Sequence, residues 1–280
     1  MKIGFAGVPN NNLQLLMESF LADGFDCVYY NYRPICDLSC SLWIAAGGPH
    51  YIPYLYRGKK VDTWHGVGTE WGSIKRRRYM LQFYSLGLVS STFYKNLYGN
   101  ENLAITGFPR CDLIDPNSEP KKIVLYAPSY QNLMVGGPEK DPTIPKQLSV
   151  VCSKYGYQFV HRKHIAESDI KDKNNYPPIE EFLNDVSILI TDYSSIAADF
   201  ALLKRPILFV DRGIDQSKFV FPLSERYGIV TNEIDATKTL EQTIKGEVEN
   251  ENEGYISKIF DFQDQNNTER VVKEIKRLMK

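Results

Sequence analysis

The sequence predicts an α/β protein with two Rossmann-like, parallel-sheet domains that face a cleft. Three observations predict this fold class. The chain has 280 residues, a length that suits two domains of ordinary size. Short apolar segments alternate with amphipathic helical segments, as in parallel sheets covered by helices on both faces. The polar, proline-containing stretch 112–122 separates two such sets, so we place the domains at residues 1–115 and 116–280.

The first domain opens with the strand Lys2–Ala6, which is short and apolar. Apolar residues then repeat at helical spacing from Leu13 to Leu21, and Gly24 is expected to end that helix. Each later strand is bounded by glycine, proline or a helical pattern. These strands are predicted at Cys27–Tyr30, Leu42–Ala46, Val61–Trp64, Leu86–Ser90 and Leu103–Thr106.

The second domain repeats the alternation of strands and helices. Its helices are predicted at Pro145–Tyr155, Pro178–Asn184 and Ser195–Leu203, and the charged tail Thr268–Lys280 is predicted to form an amphipathic helix. Its strands are predicted at Ile123–Tyr126, Gln158–Arg162, Ser187–Thr191, Pro206–Val210 and Gly228–Thr231.

Composition excludes several classes of function. The formal net charge of −1 argues against nucleic-acid binding through bulk positive charge. The five cysteines are odd in number and lack zinc-site spacing, which favours reduced thiols in the cytoplasm. We find no signal-peptide pattern and no apolar run of the ~20 residues that span a bilayer.

Several cofactor and metal motifs are missing from the sequence. It contains neither the phosphate-binding motif GxxxxGK[ST] nor the dinucleotide-binding motif GxGxxG, so we expect no cofactor. It also shows no evident carboxylate metal site, and metal dependence is left open.

Ligands of open parallel sheets bind where strands end, so residues that directly follow strands are the candidates for function. His65 is the first of these, in the stretch Thr63–Gly68. A histidine among glycines at a strand end can exchange protons near neutral pH. The alternative is a loop histidine that only caps backbone groups.

A second candidate group follows the strand at 103–106 and contains Gly107, Pro109, Arg110 and Asp112. Arg110 offers a planar set of donors that suits phosphate. Asp112 is suited to accept from a ribose or from Arg110. The alternative is a turn with a surface ion pair.

Two further groups follow strands of the second domain. Pro128 and Ser129 come after the strand Ile123–Tyr126, a weak signal taken alone. Arg162, Lys163 and His164 end the strand at 158–162 and are typical of an anion site. The alternative for this basic group is a solvated strand end.

The last candidate group, which includes Asp192, Ser194 and Ser195, lies between a buried-strand pattern and a helix. Serine hydroxyls, unpaired backbone N–H groups and the positive end of the helix dipole together favour phosphate binding. The alternative is an ordinary helix N-cap.

Taken together and in order, these motifs resemble the CDP-glycerol glycerophosphotransferase family of teichoic-acid and capsule enzymes. The resemblance spans roughly residues 61–210. It is carried by Trp64-His65-Gly66, by 107–112 (GFPRCD), by 125–130 (LYAPSY), by Arg162-Lys163-His164, by 191–195 (TDYSS), by Asp199-Phe200-Ala201 and by 204–209 (KRPILF).

The resemblance implies a glycosyltransferase-B-like fold, with an acceptor-side first domain and a nucleotide-donor-binding second domain. It implies transfer of a polyol phosphate from a CDP-polyol such as CDP-glycerol to a lipid-linked glycan at the inner membrane face. Carried over by motif, His65 corresponds to the family's general base and His164 to a second histidine that acts on the pyrophosphate. Ser194 and Ser195 correspond to serines that contact phosphate.

The segment 70–84 is predicted to contact the acceptor or an anionic membrane. Aromatic and cationic side chains together favour the membrane interface. The alternative is a helix packed on its own domain, with Arg77 or Arg78 binding the acceptor's phosphate. The side chains concerned are Trp71, Lys75, Arg76, Arg77 and Arg78.

Two other functions stay open at this point. A sugar-nucleotide glycosyltransferase or 2-epimerase would use the same two-domain plan and the same serine pair. A catalytically inactive nucleotide-binding or membrane-surface scaffold is the other, because several motif positions depart from the family's usual residues. With a panel of nucleotide donors, release of CMP favours the polyol-phosphate transferase, whereas release of UDP or epimerisation of the sugar favours the sugar-nucleotide enzyme. A donor-hydrolysis assay distinguishes an active enzyme from the inactive scaffold.

Overall fold

The computed structural model describes residues 1–7, 10–31, 38–46, 52, 56–63, 74–129, 142–163 and 179–280, apart from the side chains of Arg76 and Lys218. These residues form two compact units, each of which has its own parallel sheet. The two parallel α/β domains predicted from the sequence are therefore confirmed. The change from one unit to the next at residues 113–114 lies within the predicted linker, residues 112–122.

The first unit contains a six-stranded sheet whose neighbouring strands are all parallel, in the order β2-β1-β3-β4-β5-β6. Its helices are α1 (Asn11–Ala22), α2 (Ile74–Leu81), α3 (Thr92–Tyr98) and α9 (Asn267–Met279). Its strands are β1 (Lys2–Gly7), β2 (Asp26–Tyr30), β3 (Leu42–Ala46), β4 (Lys59–Asp62), β5 (Leu86–Val89) and β6 (Leu103–Ile105).

Helix α1 shows how the sequence produces an element of this unit. Asn10 caps the helix, because its side chain accepts a hydrogen bond of 3.1 Å from the backbone N–H of Leu13. Leu13, Leu16 and Phe20 recur at helical spacing and are buried in the core of the first unit.

The second unit contains a five-stranded parallel sheet in the order β11-β10-β9-β7-β8. Its helices are α4 (Ile144–Lys154), α5 (Ile179–Leu183), α6 (Ile196–Ala201), α7 (Ala236–Ile244) and α8 (Gly254–Ile259). The second unit ends within α8, at Ser257. Its strands are β7 (Ile123–Tyr126), β8 (Gln158–His161), β9 (Ile188–Thr191), β10 (Ile207–Asp211) and β11 (Ile229–Asn232).

The C-terminal segment Lys258–Lys280 belongs to the first unit, which corrects the predicted boundary that left it in the second domain. The physical reason is packing. Val271, Val272 and Ile275 of α9 are buried in the same core as the strands and α1 of the first unit. The apolar face of α9 is therefore covered by the sheet that the N-terminal half of the chain forms.

Candidate active site

Four neighbouring strands of the second sheet end at one edge, because β7, β8, β9 and β10 are parallel. We call the residues that directly follow these strands the carboxyl edge. The carboxyl edge holds most of the predicted donor-binding residues of the second domain. It contains Pro128 and Ser129 after β7, Arg162 and Lys163 after β8, 192–195 after β9, and Arg212 after β10.

Asp192 is the centre of this edge. Its carboxylate accepts from the backbone N–H of Ser129 at 2.6 Å, from the Ser129 hydroxyl at 2.9 Å and from the backbone N–H of Tyr193 at 2.7 Å. It also forms an ion pair of 2.9 Å with Arg212, and both side chains are more than nine-tenths buried. These contacts occupy about all of the four acceptor positions of a carboxylate. Asp192 therefore holds the ends of β7, β9 and β10 together.

The hydroxyl of Tyr193 strengthens the same junction. It donates to Asp211 at the end of β10 and accepts from the backbone N–H of Arg212 at 3.0 Å. Burial, followed by the hydrogen bond to Asp211, raises the pKa of Tyr193 to about 12. Tyr193 therefore stays protonated at neutral pH and fixes geometry, whereas a proton acceptor would need a lower pKa.

Arg212 is a residue of this edge that the motif reading missed. The sequence does contain a signal, because Asp211 and Arg212 directly follow the buried strand β10. Strand order made the difference: β10 lies beside β9, and this adjacency places Arg212 against Asp192. The order of strands in a sheet cannot be read from the strand sequences themselves.

The remaining predicted residues of this edge are Arg162, Lys163, Ser194 and Ser195. The backbone N–H of Arg162 donates to the carbonyl of Tyr126 at 2.9 Å, which continues the pairing of β8 with β7. Arg162 is half-buried and Lys163 is exposed. Ser194 and Ser195 are half-buried before α6, and Ser195 makes no side-chain cap bond. Their predicted phosphate contacts stay predictions.

The candidate group after β6 has a structural task in the first unit. The Asp112 carboxylate accepts from the backbone N–H of Asn267 at 2.8 Å, from the Asn267 side-chain amide at 2.7 Å and from the backbone N–H of Thr268 at 2.7 Å. Asp112 thus satisfies N–H groups at the first turn of α9 that no carbonyl of that helix can reach. In place of the surface ion pair given as the alternative, the half-buried Asp112 attaches α9.

Gly107 and Arg110 belong to the same attachment. Gly107 has φ +75, and a Cβ there would lie 1.8 Å from the amide oxygen of Asn267, so only glycine fits. Arg110 is 5% exposed, and its backbone N–H donates to Asn12 of α1 at 3.0 Å. Its guanidinium lies 5.0 Å above the ring of Phe108. Pro109 is also buried, and the predicted donor contacts of this group stay predictions.

Helix α2 corrects one part of the predicted membrane segment. Arg77 is 7% exposed and forms an ion pair of 2.5 Å with Asp62, which is fully buried at the end of β4. Its charge therefore faces the first unit and not a membrane, as expected for the alternative of a helix packed on its own domain. Arg78 is exposed and donates from Nε and Nη2 to the carbonyl of Leu97, at 3.0 and 2.6 Å.

Four predicted residues receive no structural account. His65, His164 and Trp71 lie outside the described residues, and the side chain of Arg76 is not described. Within the described ranges, no three His, Cys, Asp or Glu side chains cluster as metal ligands would. Among the helices of those ranges, none combines the length and the apolar character needed to cross a bilayer.

Comparison with known proteins decides the family. Residues 75–277 match the family described as CDP-Glycerol:Poly(glycerophosphate) glycerophosphotransferase. The chain belongs to this family. The match begins in α2 and ends in α9, so it includes the whole carboxyl edge.

Curated glycerophosphotransferase relatives are longer than this chain. The teichoic acid ribitol-phosphate polymerase TarK of Staphylococcus aureus is 24% identical over 300 residues, which cover 92% of this chain and 56% of the relative. The teichoic acid glycerol-phosphate primase of Bacillus subtilis is 36% identical over 103 residues, 33% of this chain and 26% of the relative. The chain spans about half the length of the first relatives it matches.

Solved structures show the same fold. The wall teichoic acid polymerase TagF has a TM-score of 0.71 at 17% identity, covering 99% of this chain and 89% of that one. A UDP-GlcNAc 2-epimerase from Neisseria meningitidis has a TM-score of 0.62 at 12% identity, covering 99% and 100%. The glycosyltransferase-B-like fold class predicted from the sequence is confirmed.

Proposed function

We propose that this chain transfers a polyol phosphate, such as glycerol phosphate, from a CDP-polyol to a hydroxyl of a membrane-linked glycan or teichoic-acid acceptor, with release of CMP. The observation that carries the proposal is the carboxyl edge of the second sheet in a chain of the glycerophosphotransferase family. Parallel α/β sheets bind nucleotides at this edge. A TagF structure soaked with CDPG provides further support from the fold relatives.

The residues suit this chemistry. The acceptor oxygen forms a bond to the β-phosphorus of the donor while the bond from that phosphorus to the CMP oxygen breaks. The acceptor's proton passes to His65, and CMP leaves with the electron pair of the broken bond. One base contributes about 10²–10⁴-fold, so positioning and charge stabilisation must supply the rest.

Cationic and hydroxyl groups of the carboxyl edge would stabilise the transferring phosphate. Arg162 and Lys163 follow β8, and Ser194 and Ser195 follow β9. His164 comes next along the chain after Lys163 and would act on the leaving pyrophosphate oxygen. This set of groups needs no resident cofactor.

A donor panel tests the proposal. The protein is incubated with CDP-glycerol, CDP-ribitol and UDP-N-acetylglucosamine, with and without a lipid-linked teichoic-acid acceptor, and free CMP and UDP are quantified. We expect CMP from a CDP-polyol and more of it with acceptor. UDP release, or epimerisation of the sugar, would favour the alternative sugar-nucleotide enzyme. A parallel reaction with EDTA is expected to retain a measurable fraction of activity.

We further propose that the acceptor is reached at a membrane surface through α2. The exposed side of this helix carries Lys75, Arg78 and Tyr79, and Phe83 follows it. Tyr79 and Phe83 are 61% and 46% exposed, and their rings contact each other edge-on, at 5.1 Å between centroids. Exposed aromatic rings beside cations are typical of peripheral membrane contact.

A further inference from the structure

Arg212 has unused hydrogen-bonding capacity in a buried position. Its side chain is 6% exposed, and it pairs with Asp192 through one Nη atom. Its Nε is buried and has no hydrogen-bond partner among the residues that the structure describes. A guanidinium carries five N–H donors, so the single contact with Asp192 leaves most of them available. A buried donor without a partner costs free energy unless a ligand or water satisfies it.

The guanidinium is also held in place before any ligand arrives. Asp192 fixes it from one side, and the ring of Tyr193 lies 5.8 Å from its central carbon. The backbone N–H of Arg212 is bonded to the Tyr193 hydroxyl, so the main chain at this position is fixed as well. A group that is positioned in this way loses little conformational entropy on binding.

We propose that Arg212 binds a phosphate oxygen of the nucleotide donor, and this inference rests on the proposed function. The planar guanidinium matches the geometry of phosphate oxygens better than an ammonium does. The ion pair with Asp192 orients the guanidinium without using all of its donors. Arg212 follows β10, which lies between β11 and β9, at the carboxyl edge where ligands of parallel sheets bind.

The experiment measures the binding of two probes by calorimetry, inorganic pyrophosphate and CDP-glycerol. The first variant, Arg212→Lys, keeps the positive charge beside Asp192 but removes the Nε donor and the planar geometry. The second combines Arg212→Gln with Asp192→Asn and therefore leaves no buried charge unpaired. The control is Lys245→Gln, which removes an exposed cation from an ion pair with Glu241 on α7. Thermal unfolding of each variant checks the fold.

We expect Arg212→Lys to weaken pyrophosphate and CDP-glycerol binding at least about tenfold, since one charge-assisted hydrogen bond is worth roughly this factor. The double variant should bind no better than Arg212→Lys, and the control should match wild type. Folded Arg212→Lys protein that binds both probes as wild type does would overturn the proposal. Failure of wild type to bind pyrophosphate would overturn it too.

Failure of the proposed function looks different. Pyrophosphate binding that depends on Arg212, in a protein that releases no CMP from any CDP-polyol, would leave the Arg212 anion site standing and remove the transferase. Normal CMP release by Arg212→Lys, with unchanged KM for CDP-glycerol, would keep the transferase and remove the site.

Discussion

At the scale of single residues, Asp192 shows how structure changes an interpretation. The sequence places it beside Ser194 and Ser195, among the predicted donor-binding residues. In the structure its oxygens are occupied by Ser129, Tyr193 and Arg212. Its contribution is to position the groups around it, because a carboxylate with filled acceptor sites has little capacity left for a ligand.

We expect Asp192→Asn to lower the free energy of unfolding by about 3–5 kcal/mol, because Arg212 would then be a buried cation without its counter-ion. Urea unfolding measures this loss. The matched control is Asp185→Asn, which breaks an exposed ion pair with Lys121 and should cost about 0–1 kcal/mol. Equal losses in the two variants would show that the buried pair with Arg212 does not matter for stability.

His65 is the residue on which the proposed chemistry depends. We expect His65→Ala to lower kcat at least about 10²-fold, while the affinity for a CDP-polyol changes little, because a base on the acceptor side acts in the transition state. Steady-state kinetics and calorimetry separate the two effects. Turnover above about a tenth of the wild-type rate would mean that His65 is not the general base.

At the scale of elements, the turn Pro109–Leu113 attaches α9 to the first unit. Asp112 caps the first turn of α9, and Gly107 leaves room for Asn267. Residues about 155 apart in sequence are thus joined at one helix end. A helix of this length depends on tertiary contacts for its stability, so loss of the cap is expected to weaken the packing of α9 on the first unit.

We expect Asp112→Ala to destabilise the protein by about 1–2 kcal/mol, the usual value of a helix cap, and to expose α9 to protease. Gly107→Ala should have a similar or larger effect, because its methyl group would overlap the Asn267 amide. Limited proteolysis followed by mass spectrometry detects release of the C-terminus. Asp215→Ala, which removes the cap of a short turn in the second unit, is the control and should leave α9 protected.

Helix α2 supplies the test of membrane contact. We expect Lys75→Gln to weaken binding to anionic vesicles about fivefold, since a cation near such a surface contributes about 1 kcal/mol. Replacing Tyr79 and Phe83 together by serine should weaken it further. The control is Val150→Ser, a 64% exposed apolar side chain on α4. Co-sedimentation at low and high salt measures binding, and a wild-type protein that stays unbound at low salt contradicts the idea.

At the scale of the whole molecule, the two ends of the chain form one unit. The N-terminal strands and the segment Lys258–Lys280 share a core, while residues 114–257 form the other unit. We expect a chain shortened at residue 257 to lose hydrogen-exchange protection in β1 and β3 but to keep it in β7 and β9. Lys273→Gln, an exposed change on α9, should leave all four strands protected. Full protection of β1 and β3 in the shortened chain would contradict the role of α9.

Much of the fold could be predicted because each strand is a short apolar segment between clear helical patterns. The predicted strands Leu42–Ala46 and Ile123–Tyr126 agree with β3 and β7 to the residue. The strand predicted at Val61–Trp64 begins two residues earlier, at Lys59, because Lys59 and Lys60 already pair with β3. Trp64 lies outside the described residues. Boundaries of this kind depend on pairing with the neighbouring strand, and the local sequence pattern holds no information about that pairing.

By itself, the sequence determined the alternation of strands and helices, the two parallel domains, the family resemblance and most of the carboxyl edge. Local periodicity and residues that directly follow strands contain that information. Only the tertiary structure decided that Arg212 lies against Asp192, that Arg77 is buried against Asp62 and that α9 packs in the first unit. Each of these three contacts joins elements whose adjacency is set by strand order or by the burial of an apolar face. Such adjacency arises from packing over the whole chain, so the local periodicity of the sequence does not predict it.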